Sequence, residues 1–474
     1  MREAKTAAII GGGAAGLAAA VAAAEAARAA GAAVAVVVYE ASDRVGRSIL
    51  ATGNGRCNFS NARPDAALYR HGDFVAAAWE ALEAKGAGAE GDGAADPGPA
   101  NAVLRFFADH GLLWREEGEG RLYPLANKAT SVLDCLRASC AALGVEERCE
   151  FSVAAVEPPR GPGRPFTLRL ADGRFERADA VIVAVGGAVA RNLLPEGLPF
   201  VEPVPTLGPL ATETRWCRPL DNIRVRGALV LRRGGAVMAR ELGEVMFRKY
   251  GVSGIAAFNL SRLAAVGDAL AVDFLPALPA DRTEAFLRDR RKALRAALGR
   301  EVTWDDMLRG VVLAPVADVL LAAVGLKGKT PAAAAEAAPV AAVLKGLTLP
   351  VEGLGDVRQC QVHRGGVAVE AVDAASCEVR GVPGLYVVGE ALDVDAPCGG
   401  YNLHWAWASG LLAGKSAVER LAPSSGSERG EGAPCSDSPR LVRRSAGLPQ
   451  SLRNCAQTPS SRSEPAGSRK RGRR

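Results

Sequence analysis

The sequence predicts an α/β fold organised on a buried parallel sheet, and three stretches carry that prediction. The first is a strand, a glycine-rich turn, a helix and a second strand between Ala7 and Glu40. The others are the short apolar runs Ala180–Val185 and Gly384–Val388, each of strand length. Because strands buried on both faces read as continuous apolar runs, we expect these two segments to join the first two strands in one sheet.

The first stretch contains the spacing G-x-G-x-x-G at Gly11, Gly13 and Gly16, directly after the apolar run that ends at Ile10. In this pattern the first glycine permits a tight turn and the second lets the backbone approach a pyrophosphate. The third lets the helix pack close to the strand. Glu40 ends the second strand, where an acid accepts hydrogen bonds from a free ribose hydroxyl. The stretch therefore predicts FAD or NAD rather than NADP, and the alternative is a glycine-rich turn in another parallel sheet.

A polar loop rich in glycine and asparagine follows from Ala41 to Asn61. Gly53 and Asn58 lie in its irregular, donor-rich part, and Arg47 and Arg56 add positive charge. We expect this loop to wrap the nucleotide and to place the arginines beside the pyrophosphate, since phosphates favour such donors. The alternative is a polar surface loop.

Composition limits the classes of function. The 474 residues, 49% of them hydrophobic, are enough for two or three domains. From Ala422 onward eleven basic and four acidic residues give a net charge of +7, so the total of +6 leaves the remaining chain near neutral, at −1. A neutral body does not favour nucleic acid as a partner. No apolar run is long enough to span a membrane, and the ten cysteines lack a C-x-x-C pair, which favours the cytoplasm.

The middle of the chain changes character. Short β segments and then several helices follow one another from Val201 to about Val351, which indicates a separate inserted domain. After Leu421 the chain has few large apolar residues and a basic end, which predicts disorder and leaves a nucleic-acid-binding tail as the alternative. The predicted divisions are a first cofactor-domain part, the insertion, a second cofactor-domain part and the tail, at 1–195, 196–352, 353–421 and 422–474.

At several motifs the sequence resembles the flavoproteins described as aminoacetone-oxidase-like or bile-acid oxo-reductase-like FAD-binding enzymes. The matching blocks are IIGGGAAGL (9–17), GRSILATGNGRCNFSN (46–61), EGRLYPLANKATSVLD (119–134), VIVAVGG (181–187), GEVMFRKYGVSG (243–254), QVHRGGV (361–367) and GLYVVGEALDVDAPCGGYNLHWAWASGLLAG (384–414). The chain departs from the family pattern at His363, where a small hydroxyl residue is usual, and at His404, where an amide is usual. Ser48 replaces a usual lysine, and 188–209 is shortened.

This resemblance implies an α/β fold with a discontinuous Rossmann-like FAD-binding domain and an inserted domain of a β-barrel plus helices. It implies cofactor-binding roles for residues of the matched blocks and their surroundings: Gly11, Gly13, Ala14, Ala15, Gly16, Glu40, Arg47, Gly53, Arg56, Cys57, Asn58, Val153, Ala184, Gly186, Gly389, Glu390, Gly399, Gly400, Tyr401 and Asn402. Cys57 and Cys398 are interpreted as structural thiols rather than a redox pair. No metal is expected.

The resemblance also implies hydride transfer between flavin and a small organic substrate. The reaction is either reduction of a conjugated C=C bond or oxidation of a small amine, such as aminoacetone, by oxygen. Candidate proton donors are Tyr401, His363 and His404, for each of which packing is the alternative. No second glycine fingerprint of comparable quality occurs, so NAD(P)H is expected only as a transient donor. A flavin-bound scaffold or sensor and a nucleic-acid-modifying flavoprotein stay open, as does the oligomeric state.

Overall fold

The computed structural model describes residues 4–86, 101–161, 163–187 and 191–422. Most of the low-complexity segment 84–100 and nearly all of the predicted tail lie outside these residues. The helices are α1 Ala14–Ala29, α2 Arg47–Ala51, α3 Gly72–Gly86, α4 Ala102–Asp109, α5 Ala129–Leu143, α6 Ile255–Ser261, α7 Ala280–Leu298, α8 Trp304–Leu308, α9 Ala314–Ala323, α10 Ala337–Gly346 and α11 Tyr401–Leu421. Within the described residues, no helix combines the length and apolarity that a membrane crossing needs.

The strands of the first half are β1 Lys5–Ile10, β2 Val34–Glu40, β3 Ser60–Asn61, β4 Trp114–Glu117, β5 Arg121–Pro124, β6 Glu146–Cys149, β7 Val153–Glu157, β8 Phe166–Leu170, β9 Phe175–Ala178 and β10 Ala180–Val183. Those of the second half are β11 Phe200–Thr206, β12 Leu210–Thr212, β13 Arg224–Arg233, β14 Ala236–Arg248, β15 Gly251–Ser253, β16 Ala269–Asp273, β17 Leu347–Leu354, β18 Val362–Val367 and β19 Leu385–Val387.

The central sheet has the order β19-β10-β1-β2-β6, and all of its pairs are parallel. Ile9 on β1 lies opposite Val38 on β2 and Ile182 on β10, and all three side chains are fully buried. The sheet confirms the predicted strand–helix–strand unit. It also confirms that both later apolar runs return to the same sheet.

Helices α1 and α11 pack so closely that the backbone of one contacts the backbone of the other. A Cβ placed on Gly410 would lie 2.3 Å from the carbonyl oxygen of Ala15, and one on Gly414 would lie 2.4 Å from that of Ala19. Both distances are far shorter than a carbon–oxygen contact allows, so the two glycines set the separation of the helices. The contact joins the first helix of the chain to the last one described.

The inserted part is built on a closed barrel with the order β12-β15-β14-β13-β16-β17. It has a hydrophobic core of its own, in which Leu229, Phe247 and Leu349 are fully buried. Helices α6 to α10 accompany the barrel in the chain, and the antiparallel pair β11–β18 lies where the chain leaves and re-enters the cofactor domain. This is the β-barrel-plus-helices architecture that the resemblance implied.

The sequence also predicts several local elements, and two of them differ in the structure. Ser131 is a plausible N-cap for a predicted helix that ends at Leu143, but α5 begins at Ala129 and its N-cap residue is Lys128. The segment from Ile255 to Val266 predicts one helix, but α6 ends at Ser261, after which the chain turns toward β16. The turn signals around 116–124 and 166–179 predict two hairpins, which are confirmed as β4–β5 and β8–β9.

Candidate functional site

Four strands of the central sheet end at the same edge, because they are parallel. From one side to the other these ends are Glu40, the last residue of β2, the turn at Gly11 after β1, Ala184 after β10 and Gly389 after β19. Neighbouring strands lie about 4.8 Å apart, so the edge forms a continuous row of backbone turns. Ligands of open α/β sheets bind outside the carboxyl ends of the strands, and this row is therefore the candidate cofactor site.

The three fingerprint glycines are required for different reasons. Gly11 has a φ of 102°, and a Cβ on it would lie 2.5 Å from the carbonyl oxygen of Ala184. A Cβ on Gly16 would lie 1.9 Å from the carbonyl oxygen of Gly11, so any side chain there separates helix from strand. On Gly13, within 4 Å, a Cβ would meet only Ser48 Oγ, at 3.1 Å, among the described residues. Gly13 therefore leaves its backbone open at the start of α1, as a pyrophosphate site requires.

The carboxylate of Glu40 is held in place at the end of β2. Its Oε2 accepts a hydrogen bond from the backbone N–H of Gly12 at 2.8 Å, and its Oε1 accepts one from Ser42 at 2.8 Å. A carboxylate has about four acceptor positions, so two remain for ribose hydroxyls. Val153, at the start of β7, follows a loop in which the backbone N–H of Phe151 donates to the carbonyl of Glu40 at 2.9 Å.

The two arginines of the polar loop already have partners. Arg56 pairs with Glu117, donates to Asn127 Oδ1 at 2.5 Å and stacks 4.1 Å above the ring of Tyr123. Arg47, at the start of α2, is exposed and lies 3.4 Å from an aspartate one turn before it. Their expected contact with a pyrophosphate remains a prediction.

The same loop carries an unusual backbone and an unpaired acceptor. Gly53 and Cys57 both have positive φ, 55° and 56°, and the chain bends sharply between them. Cys57 is buried and burial raises the pKa of its thiol to about 11, in keeping with a structural role. Asn58 Oδ1 is buried, and among the residues that the structure describes it has no hydrogen-bond partner. It lies 2.9 Å from where a Cβ on Gly400 would be, so it faces the turn before α11.

That turn is shaped by Gly399 and Gly400, whose φ values are 141° and 93°. A Cβ on Gly400 would lie 2.2 Å from the carbonyl oxygen of Ser60, so this glycine is required for packing. Asn402 donates and accepts hydrogen bonds with the backbone of Ala396, at 2.8 and 2.9 Å, and thereby fixes the segment before the turn. These bonds give the Asn402 side chain a positioning role, and its expected contact with the cofactor remains a prediction.

A histidine and a glutamate meet at the far end of the row, opposite Glu40. The backbone N–H of His363 donates to Glu390 Oε1 at 2.6 Å, and His363 Nδ1 lies 3.2 Å from the same oxygen. The hydrogen bond to Glu390 raises the pKa of His363. A Cβ on Gly187, which follows Gly186 after β10, would lie 2.0 Å from Glu390 Oε1 and 2.7 Å from His363 Cβ. The pair therefore lies directly beside the ends of β10 and β19.

The other two predicted proton donors lie one turn apart on α11. His404 is 2% exposed, its Nδ1 lies 2.9 Å from Ser60 Oγ, and its ring packs edge-on against Trp79. Burial lowers the pKa of His404 to about 3, which disfavours the protonated ring. Tyr401 is half-buried, its carbonyl accepts from the hydroxyl of Tyr69 at 2.6 Å, and burial raises the pKa of Tyr401. Tyr401 and His404 thus share a helix while His363 lies on β18, and a proton-donor role for any of the three remains a prediction.

Sequence reasoning missed two buried carboxylates between β19 and α11. Asp393 accepts hydrogen bonds from Arg70 and His71 and from the backbone N–H of Gly365, while Asp395 pairs with two arginines, one of them on β18. They hold β18, and with it His363, against the edge of the sheet. The sequence signal that could have indicated them is the spacing of Asp393 and Asp395, two acids two residues apart between apolar residues.

The edge as a whole fits FAD. It offers an acid for a ribose, an uncapped helix start for a pyrophosphate, an unpaired buried acceptor and a half-buried acid–histidine pair at the opposite end. The acid, the helix start and the acid–histidine pair follow the row of strand ends in the order that an extended dinucleotide requires, and the unpaired acceptor lies in the polar loop.

Comparisons with known proteins agree with this geometry. The family model described as the HI0933-like protein Rossmann domain matches residues 5–416. The 3-dehydro-bile acid delta(4,6)-reductase of Clostridium scindens is 34% identical over 433 residues, which cover 87% of this chain and 98% of that protein. The ribosomal RNA dihydrouridine synthase of Escherichia coli is 26% identical over 441 residues, 87% of this chain and 99% of that protein.

Among solved structures, the 3-ketosteroid delta1-dehydrogenase of Sterolibacterium denitrificans matches with a TM-score of 0.43 and 13% identity, covering 88% of this chain and all of that one. The family match contains the fingerprint, the loop at Asn58 and the turn before α11, and the bile-acid reductase similarity spans most of the chain. The chain accordingly belongs to the HI0933-like family of Rossmann-type, FAD-dependent oxidoreductases.

Proposed function

We propose that this protein reduces a C=C bond conjugated to a carbonyl group in a small organic molecule. The observation that carries the proposal is the His363–Glu390 pair at the end of the row opposite the ribose-binding acid. Two relatives whose similarity covers 87% of this chain support it, because a delta(4,6)-reductase and a dihydrouridine synthase are both named for saturating such a bond.

FAD, when bound, supplies the hydride for such a reduction. The chain must then supply the proton that the adjacent carbon takes up. Nδ1 of His363 faces Glu390, so Nε2 is the atom left to donate, and no hydrogen bond to it occurs among the described residues. The raised pKa keeps the ring protonated to higher pH, and the carboxylate fixes its orientation. Hydride and proton together saturate the bond without any other reactant.

The electron donor is proposed to be NADH or NADPH, which would visit the flavin and leave. The glycine fingerprint that follows a strand and opens a helix, at Gly11–Gly16, is the one that we assign to FAD, and no second fingerprint of comparable quality is left for a resident nicotinamide cofactor. The proposal is tested with purified holoprotein under anaerobic conditions. We expect NADH or NADPH to bleach the flavin absorbance, and a steroid-like or cyclic enone to restore it with formation of the saturated ketone. A flavin that neither donor reduces, or that no enone reoxidises, would contradict the proposal.

A second candidate is reduction of uracil in RNA, and the similarity to the E. coli synthase favours it. Its substrate differs in size and charge, so the same reduced protein distinguishes the two. Dihydrouridine formed in ribosomal RNA, with no turnover of free enones, would establish the second function instead. Oxygen consumption with aminoacetone, with no enone reduction, would establish amine oxidation.

A further inference from the structure

Helix α6 is the part of the inserted barrel that reaches the cofactor domain beside the turn before α11. Asn259 Oδ1 accepts a hydrogen bond from the backbone N–H of Cys398 at 2.9 Å. One turn later, Arg262 donates to Asp395 at 2.6 Å. These contacts cross from the insertion, which folds around its own core, to the segment that carries Gly399 and Gly400.

The orientation of the Asn259 amide follows from its partners. Its oxygen faces an N–H group, which only donates, and its nitrogen donates to Glu241 Oε2 on β14 at 3.0 Å. Both halves of the amide are therefore used, and a flipped amide would lose both hydrogen bonds. Since Glu241 belongs to the barrel wall, Asn259 connects that wall to the backbone of Cys398.

The turn held by Asn259 borders the catalytic end of the row. Cys398 Sγ lies 3.7 Å from Gln361 Oε1, and Gln361 directly precedes β18, the strand that carries His363. On its other side the turn faces the unpaired oxygen of Asn58. A shift of Cys398 would therefore alter both the cofactor side and the substrate side of the cleft.

We propose that Asn259 is a positioning residue through which the inserted barrel sets the turn at Cys398–Gly400 against the flavin. The inference rests on the proposed function in one respect, namely that the redox end of FAD lies beside this turn. Asn61 and Asn402, which also hydrogen-bond to the turn and the segment before it, belong to the cofactor domain itself. Arg262 reaches that segment from the insertion at Asp395, three residues before Cys398, whereas Asn259 holds Cys398 itself. Asn259 thus makes flavin reactivity depend on the placement of the barrel.

The test compares Asn259→Leu, Asn259→Asp and the double change Asn259→Asp with Glu241→Gln in the full-length holoprotein. The leucine removes both hydrogen bonds, and the single aspartate faces the Glu241 carboxylate. The double variant restores both bonds, because the introduced aspartate would accept from Cys398 while the introduced glutamine amide donates to that aspartate. We measure FAD content, the FAD dissociation constant of the apoprotein and the midpoint potential.

We expect each single variant to retain FAD and to lower the equilibrium constant for two-electron reduction about tenfold, which is a potential shift of about 30 mV. The double variant should return to the wild-type potential. Ser261→Ala is the matched control, because it removes the hydrogen bonds that Ser261 makes to Gly208 and Phe258 from the same helix. It should reduce stability and leave the potential unchanged.

Unchanged potentials in both single variants would overturn the proposal, as would a double variant that stays as perturbed as the single aspartate. A potential shift in Ser261→Ala equal to that in the leucine variant would also overturn it, because the effect would then be general destabilisation of α6. Failure of the proposed function gives a different result. In that case the wild-type protein holds FAD, and its flavin is reduced in equilibrium with a redox dye, but it does not turn over enones.

Discussion

The unpaired oxygen of Asn58 gives a prediction with opposite signs for the free and the FAD-bound protein. An unsatisfied buried polar atom costs about 1–3 kcal/mol, so Asn58→Leu should stabilise the free protein by roughly that amount. In the complex the same oxygen is expected to accept a hydrogen bond from the cofactor, and the leucine would leave that donor unpaired. At about 1.4 kcal/mol per tenfold, a loss of about 1–3 kcal/mol weakens FAD binding roughly 5- to 150-fold.

The assay is denaturant unfolding of the apoprotein together with fluorescence titration of the apoprotein with FAD. Asn402→Leu is the matched control, since that amide already makes two hydrogen bonds to Ala396 and its loss should destabilise both forms. An Asn58→Leu apoprotein that is less stable than wild type, combined with an unchanged FAD dissociation constant, would refute the assignment of Asn58 to the cofactor.

Three further predictions follow from the site. Gly13→Ala should preserve the fold and reduce FAD affinity, since its Cβ meets a flexible serine. Gly16→Val should prevent soluble expression, because its Cβ would lie 1.9 Å from a backbone oxygen. The yield of soluble protein and its flavin content test the two variants. The value of kcat/KM should be high below the raised pKa of His363 and fall as pH rises through that pKa. Glu390→Gln should move the fall to lower pH, because it weakens the hydrogen bond that raises the pKa of His363. A pH profile that Glu390→Gln leaves unchanged would exclude His363 as the acid. Burial raises the pKa of Asp395, but two guanidinium groups outweigh burial and hold that pKa below its usual range. Asp395→Asn should therefore lower the free energy of unfolding by about 3 kcal/mol or more at neutral pH, because it leaves both partly buried arginines without a counter-charge. The difference from wild type should shrink as pH falls, and an equally stable variant would contradict the prediction.

The cofactor half of the fold was predictable because its signals are local. The turn at Gly11–Gly16 and the acid at Glu40 are contiguous in sequence, and their spacing has a steric reason. The apolar runs before Gly186 and Gly389 are buried on both faces, so they carry a strand signal without any need for alternation. Each of these elements is determined by neighbours within a few residues.

The closure of the barrel and the His363–Glu390 pair, which we propose to be catalytic, were harder to predict because they depend on distant contacts. Strands β15, β16 and β17 are short or contain proline and glycine, and only closure of the barrel pairs them. The role of His363 depends on Glu390, and that of His404 on Ser60; neither pairing has a sequence spacing that indicates it. The resemblance made both histidines candidate proton donors. Only their surroundings distinguish them, because His363 is half-buried and paired with Glu390, whereas His404 is fully buried and its pKa is lowered.

The backbone contact between α1 and α11 has a consequence for the order of events during synthesis. Helix α1 leaves the ribosome early, yet β19 begins at Leu385 and the glycines that cover α1 come later still. At about 5–20 residues per second, the nascent alanine-rich helix waits on the order of tens of seconds for its partner. The inserted barrel is continuous in sequence and has its own core, so it is expected to fold during that interval. Chains that stop before Gly410 would then present a finished barrel beside an unfinished nucleotide domain, which makes them ready substrates for proteolysis.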